Sequence, residues 1–228
     1  MTEIDPTAAI EAMRAVGDAE DAVAQASYHK STREHLGLRN PVIDGFVKDW
    51  RAALDVHGRV ALADGLWRSD IHEARIAAGK LLTQARIREG EAEVWALIAS
   101  WVPSFDAWAI SDHAASAGAR RLTAAPARLD EVESWTTSEN MWARRAALVF
   151  TLPWAKGRHP DEADRAHRER ILGWAAGYAA DHEWFIQKSI GWWLRTLSKH
   201  DPDRVSAFLV AHGDALKPFA RREAGKYL

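Results

Sequence analysis

SENMWARRAALVF, from Ser138 to Phe150, and EWFIQKSIGWWLRTLSKHDP, from Glu183 to Pro202, share one plan: each sets tryptophan, a basic residue and small apolar residues in a similar order along a helix. LWRSDIHEARIAAGKLL, from Leu66 to Leu82, repeats it more weakly, with Arg75 ahead of Ile76, Ala77 and Ala78 as Arg145 stands ahead of Ala146 and Ala147. Recurrence of this kind marks helical units stacked on one another, because one unit cannot bury its apolar face alone. In such a solenoid one helix of each pair turns towards a shared concave face, where cations and tryptophans of several units can gather. Binding is expected on that face.

Apolar residues at spacings of three and four run through nearly the whole chain, and proline stands near the start of several helical stretches, where its missing N–H costs nothing. The spacing predicts helices over 6–16, 18–33, 41–56, 58–68, 70–86, 89–100, 104–117, 127–135, 139–153, 160–180, 183–198, 202–212 and 218–227. Alternating strand patterns are absent, and Asp44-Gly45 and Asp64-Gly65 sit inside helical pattern. The expected class is all-α, one repeat domain over residues 1–228 with no interdomain linker.

The chain has 228 residues, 47% of them apolar, enough for a sizeable core. No apolar run approaches the roughly 20 residues that span a bilayer, and the start, MTEIDPTAAIEAMRAV, is acidic and amphipathic rather than basic and then apolar. A cytoplasmic protein is expected. The absence of cysteine excludes disulfides, thiol nucleophiles and cysteine-held metal. The formal net charge is −2, but from Asn140 onward there are 15 Lys and Arg against 10 Asp and Glu, leaving 15 against 22 before it. A local cationic groove counts for more than net charge in meeting phosphate.

Of the 12 tryptophans, Trp50, Trp67, Trp95, Trp101, Trp135, Trp154 and Trp174 fall on apolar stripes and read as core, as does Trp193. Trp108 and Trp192 differ. Trp108 lies four residues before Asp112, so indole and carboxylate share a helix face; Trp192 lies three before Arg195, which aligns an aromatic plane with a cation. Together they suit a ligand carrying both positive charge and phosphate. No HExxH, Walker loop or GxGxxG is present, so neither a metal nor a nucleotide cofactor is expected.

FDAWAISD (Phe105 to Asp112), SENMWARRAALVF, WFIQKSIGWWLR (Trp184 to Arg195), FARREAGKYL (Phe219 to Leu228) and YHKSTREHLGL (Tyr28 to Leu38) resemble, in that family's order, the segments of the AlkD-like DNA alkylation repair glycosylases. The resemblance implies an α-solenoid of HEAT-like repeats with a concave DNA-binding groove. It implies hydrolysis of the N-glycosidic bond of an alkylated purine in duplex DNA. On the matching positions Trp108, Asp112 and Trp192 are the catalytic candidates; Arg145, Arg195, Lys188, Tyr28, Lys30 and Arg222 are the DNA-binding ones. The polar run Ser31 to His35 and Gln187 depart from the family's pattern.

The chemistry is consistent with those residue types. Alkylation at N3 or N7 makes the purine cationic and a good leaving group, so what remains is to stabilise an oxocarbenium-like sugar and guide water to C1′, work a single carboxylate can do. A shallow solenoid face offers no deep pocket, so cationic 3-methyladenine and 7-methylguanine are expected over neutral lesions. A monomer is expected. The alternative is a noncatalytic helical-repeat module that binds DNA structure or a protein partner.

Overall fold

The computed structural model describes residues 3–228. The fold is all-α as expected, with fourteen α-helices, a few short 3-10 turns and no strand among the described residues. Two compact units are distinguished, residues 1–121 and 122–228.

The first unit holds α1 (Pro6–Arg14), α2 (Ala19–His29), α3 (Asn40–Ala53), α4 (Val56–Arg68), α5 (His72–Leu82), α6 (Glu91–Trp101) and most of α7 (Trp108–Ala124). Aspartates set the helix starts. Asp5, Asp18 and Asp55 accept from the backbone N–H of Ala8, Asp21 and Gly58 at 3.0, 2.8 and 2.8 Å, satisfying donors the first turn leaves unpaired. The centre of the unit is α5, buried at every position except Lys80, with α3 and α4 packed against it. Its Arg75 donates to the Trp67 carbonyl at 3.1 Å and to Asp70 at 2.9 Å, with its guanidinium 4.7 Å from the Trp67 ring centroid. Gly79 lets α5 approach α7 closely, because a Cβ there would stand 2.9 Å from the carbonyl carbon of His113.

The loop after α2 is clasped onto α5. The buried Glu73 carboxylate accepts the backbone N–H groups of Leu36, Gly37 and Leu38 at 3.0, 2.8 and 3.2 Å, while His72 donates its N–H to the Glu34 carbonyl at 2.9 Å. Gly37 takes φ 74° with its α-carbon against the Asp18 carbonyl, where a Cβ would lie 2.0 Å from the oxygen. Charge-assisted bonds of this kind are roughly twice as strong as neutral ones.

The second unit contains α8 (Leu129–Ser134), α9 (Met141–Phe150), α10 (Leu152–Lys156), α11 (Glu162–Gly177), α12 (Trp184–Ser198), α13 (Pro202–His212) and α14 (Pro218–Ala224). Here α12 is central, with α9, α10, α13 and α14 around it. Asn140, Asp161 and Asp201 cap α9, α11 and α13. The continuous helix expected over 139–153 is broken after Phe150. Pro153 has no N–H to continue the i to i−4 ladder and its ring crowds the carbonyl of Val149, and the Thr151 hydroxyl donates to the carbonyls of Ala147 and Leu148 at 3.1 and 2.9 Å. The helix expected from Ser104 starts instead at Trp108, after a 3-10 turn over Val102–Ser104 and extended backbone at Phe105.

All eight tryptophans read as core are buried, from Trp193 at 0% to Trp135 at 9% exposed. Each contributes on the order of 1.5–3 kcal/mol or more through apolar burial. Trp108 and Trp192 are half-buried, which leaves part of each indole for contact.

Candidate DNA-facing site

At the start of α7, Trp108 is the first helical residue and Asp112 follows one turn later, both half-buried. The end of α2 comes to meet them. Tyr28, 71% exposed, sets its ring edge-on to Trp108 with centroids 6.3 Å apart, and His29 lies 5.3 Å from the same indole. Two of the residues singled out in the sequence, Tyr28 and Trp108, are thus brought together. Lys30 follows, exposed and in the left-handed conformation at φ 51°.

A cluster of imidazoles stands behind this edge. His72 stacks on His35 with centroids 4.3 Å apart and lies 4.6 Å from His29. His72 is 1% exposed, and both of its ring nitrogens find no hydrogen-bond partner among the described residues. Burial pushes the His72 imidazole down to about 3, with His35, His29, Arg33 and His113 adding to the effect. Burial likewise lowers His29, His35 and His113; Lys80 reinforces the effect at His113, whereas the negative charge of Asp112 opposes it. The site therefore presents neutral imidazoles beside a carboxylate. Among the described residues no group of three or more His, Asp or Glu is arranged to hold a metal ion.

Sequence reasoning missed this cluster because its members come from α2, the following loop and α5. Also unanticipated is a recess of about 310 Å³ beside Trp108, lined in part by His29, His72, Glu73 and His113.

In the second unit, α12 carries Trp184, Lys188, Trp192 and Arg195 at spacings that place them along one helix face. Glu223 on α14 pairs with Lys188 at 3.3 Å and Arg195 at 3.0 Å. Trp184, 49% exposed, stacks on Phe219 with centroids 5.6 Å apart, and the Lys188 ammonium lies 5.7 Å from its ring. Arg222 is exposed on α14. Arg145, expected to meet phosphate, is buried at 3% exposure with its guanidinium 5.9 Å from the Trp142 ring centroid. Its neighbour Arg144 is tied to Asp181 at 3.2 Å.

The family described as DNA alkylation repair enzyme matches residues 9–228. The chain belongs to that family. In fold it is similar to a predicted DNA alkylation repair enzyme from Enterococcus faecalis, with TM-score 0.75 and 23% identity over 93% of this chain and 96% of that one. It is also similar to AlkD2 from Streptococcus mutans, with TM-score 0.60 and 19% identity over 92% and 99% of the two chains. A third structure, smu.31 from Streptococcus mutans UA159, matches at TM-score 0.60 and 19% identity over 82% and 92%. No curated protein matches the chain. Within this family member, no described helix is long and apolar enough to cross a membrane.

Proposed function

We propose that this member of the DNA alkylation repair family is a DNA glycosylase acting on N3- and N7-alkylated purines in duplex DNA. The observation that carries the reading is the Trp108–Asp112 pair, one turn apart on α7, half-exposed, with Tyr28 edge-on to the indole. The alkylated base is already cationic, so its bond to C1′ breaks with the electron pair leaving on the purine, which is thereby neutralised. Asp112 stabilises the positive charge that develops on the sugar and takes a proton from the water that adds to C1′. Trp108 offers its face to the cation, an attraction of about 0.5–2 kcal/mol.

The second-unit residues serve the backbone. Lys188, Arg195 and Arg222 would meet phosphates, and Trp192 would pack against the sugar or cationic base; such contacts position without reading sequence. Tyr28 and Lys30 would meet the strand at the Trp108 edge. Arg145, buried as it is, would act from a fixed position in the wall of α9. The family match running unbroken from residue 9 to residue 228 supports treating the chain as one functional domain.

The test is release of free base from duplex DNA carrying 7-methylguanine or 3-methyladenine, by wild type and Asp112→Asn. Release by wild type with a large loss in the variant supports the reading. Binding of the duplex without release by either protein would leave a noncatalytic DNA-binding module instead, and measurable excision of hypoxanthine or uracil would overturn the preference for cationic bases.

A further inference from the structure

We infer that Arg33, in the loop after α2, is a positioning residue for the face that bears Trp108 and Asp112, because it fixes the backbone from which α7 starts. The reacting role of that face rests on the glycosylase reading; the clamp does not. The Arg33 side chain is 7% exposed and its guanidinium meets two carboxylates, Asp70 in the turn between α4 and α5 and Asp106 in the link between α6 and α7. These partners lie 37 and 73 positions along the chain, and each stands two residues ahead of its helix. One side chain thus ties the loop before α3 to the starts of α5 and α7. Its Nε is buried without a partner among the described residues, so the two aspartates supply the compensation that a buried cation needs. Asp70 also accepts from Arg75 at 2.9 Å and takes φ 63°, a backbone state that persists only where its surroundings hold it. Two arginines and two aspartates close a neutral set.

The link into α7 is where this set acts. Apolar spacing continues upstream to Ser104, yet the chain leaves the helical state from Phe105 to Ala107 and α7 begins at Trp108. Arg75 donates to the Ser104 carbonyl at 3.4 Å, the Trp67 indole donates to the Ser104 hydroxyl at 3.3 Å, and Arg33 holds the Asp106 carboxylate. Held at both ends, the link does not wind into another turn of α7, and Trp108 stays in the first turn. From the other side, the chain reaches Arg33 shortly after Tyr28 and His29, whose rings lie 6.3 and 5.3 Å from the Trp108 indole. Arg33 therefore joins the two pieces of backbone that present this aromatic edge. A planar guanidinium can donate to two carboxylates at fixed angles, which an ammonium does less well.

The indole N–H signals of the isotope-labelled full chain test the clamp without any turnover. The Trp108 signal is identified by its loss in Trp108→Phe. Asp106→Asn, at a side chain 48% exposed, cuts the link on the α7 side alone, and Arg33→Gln cuts both ion pairs. Each should move or broaden the Trp108 signal with the other indole signals largely in place. In single-turnover release of 7-methylguanine from duplex DNA, each should lower the rate by about ten- to a hundredfold, the scale of a small misplacement of reacting groups, with duplex affinity within about twofold of wild type. The double variant should be no slower than Arg33→Gln, since both substitutions remove one interaction, and Arg33→Lys should recover the rate only in part. An unmoved Trp108 signal overturns the proposal whatever the rate does, including where urea unfolding shows lost stability. A moved signal with an unchanged rate overturns the part of Arg33 in the reaction and leaves a contact of the fold. If Arg33→Gln does not fold, Asp106→Asn decides by the same two readouts. If wild type releases no base, the glycosylase reading fails and the indole signal alone decides the clamp.

Discussion

The face of α7 and the face of α12 use the same device, a tryptophan one turn from a charged side chain, and their surroundings differ. Around Trp108 stand the imidazoles of His29, His72 and His113, held neutral by burial, with the Asp112 carboxylate one turn along α7. Beside Trp192 and Arg195 stands Glu223, which pairs with both cations of the stripe. An acid flanked by neutral aromatics is suited to a charge that develops during reaction; cations already balanced by an acid are suited to exchanging that acid for phosphate. Spacing alone does not separate the two uses, and packing does.

The sharpest way to break the comparison is to remove one charge from each face. Asp112→Asn should lower the single-turnover rate of base release by about 10²–10³, the scale of losing one preorganised electrostatic contact, with duplex affinity nearly unchanged. Arg195→Ala should do the opposite: weaker binding, a log K against log salt slope shallower by about 0.9, and a nearly unaltered rate once bound. If both variants lose rate alike, the two faces are not divided between chemistry and positioning.

Acid should distinguish the regions next. The His72 imidazole titrates near 6.5 unfolded and at about 3 folded, so between those values the unfolded chain binds more protons and stability rises with pH. The contribution of neutral His72 is complete above about pH 6.5 and is lost as pH falls towards about 3, at up to about 1.4 kcal/mol per pH unit. Amide protection in α5 should therefore fall between about pH 6 and pH 4 before that of α12, which contains no histidine. His72→Gln should flatten the pH dependence of urea unfolding; an unchanged dependence would mean the imidazole is not the group being protonated.

Buried and surface cations should separate as well. Arg75→Ala removes donors from the Trp67 carbonyl and from Asp70 within the core, and should cost about 2–4 kcal/mol in urea unfolding. Lys188→Ala, at a side chain 43% exposed, should stay within about 0.5 kcal/mol. Equal losses would mean that the repeated Trp and cation plan is structural in both places.

Much of this organisation is legible in the sequence. The helices follow from apolar spacing and aspartate or proline starts, and the eight core tryptophans follow from their stripes, because both signals are local. The Trp108–Asp112 pair is local too. The edge contact of Tyr28 with Trp108 is not, since 80 positions separate them; there the resemblance to the family supplies what spacing could not. The His29, His35 and His72 stack left no signal at all. It forms only because Glu73 gathers the N–H groups of Leu36, Gly37 and Leu38 onto α5, and nothing in the run Ser31 to His35 marks that clasp. The buried state of Arg145 is equally illegible, since the same Trp-x-x-Arg spacing fits a solvent-facing residue.

The smallest change is the most instructive about α12. Glu223, with its side chain 12% exposed, holds Lys188 and Arg195 together, so Glu223→Gln keeps the shape of the contact while removing the competing charge. With the acid neutralised, Lys188 becomes available to phosphate beside Arg195, and one added phosphate contact steepens the salt slope of duplex binding by about 0.9. A slope steeper by about one, measured by fluorescence anisotropy on undamaged duplex, with the base-release rate of the bound complex unchanged, would establish the stripe as a DNA-facing surface regulated by its own acid. A slope that does not move would make Lys188, Arg195 and Glu223 a packing cluster between α12 and α14, and the division between a reacting face and a holding face would then rest on α7 alone.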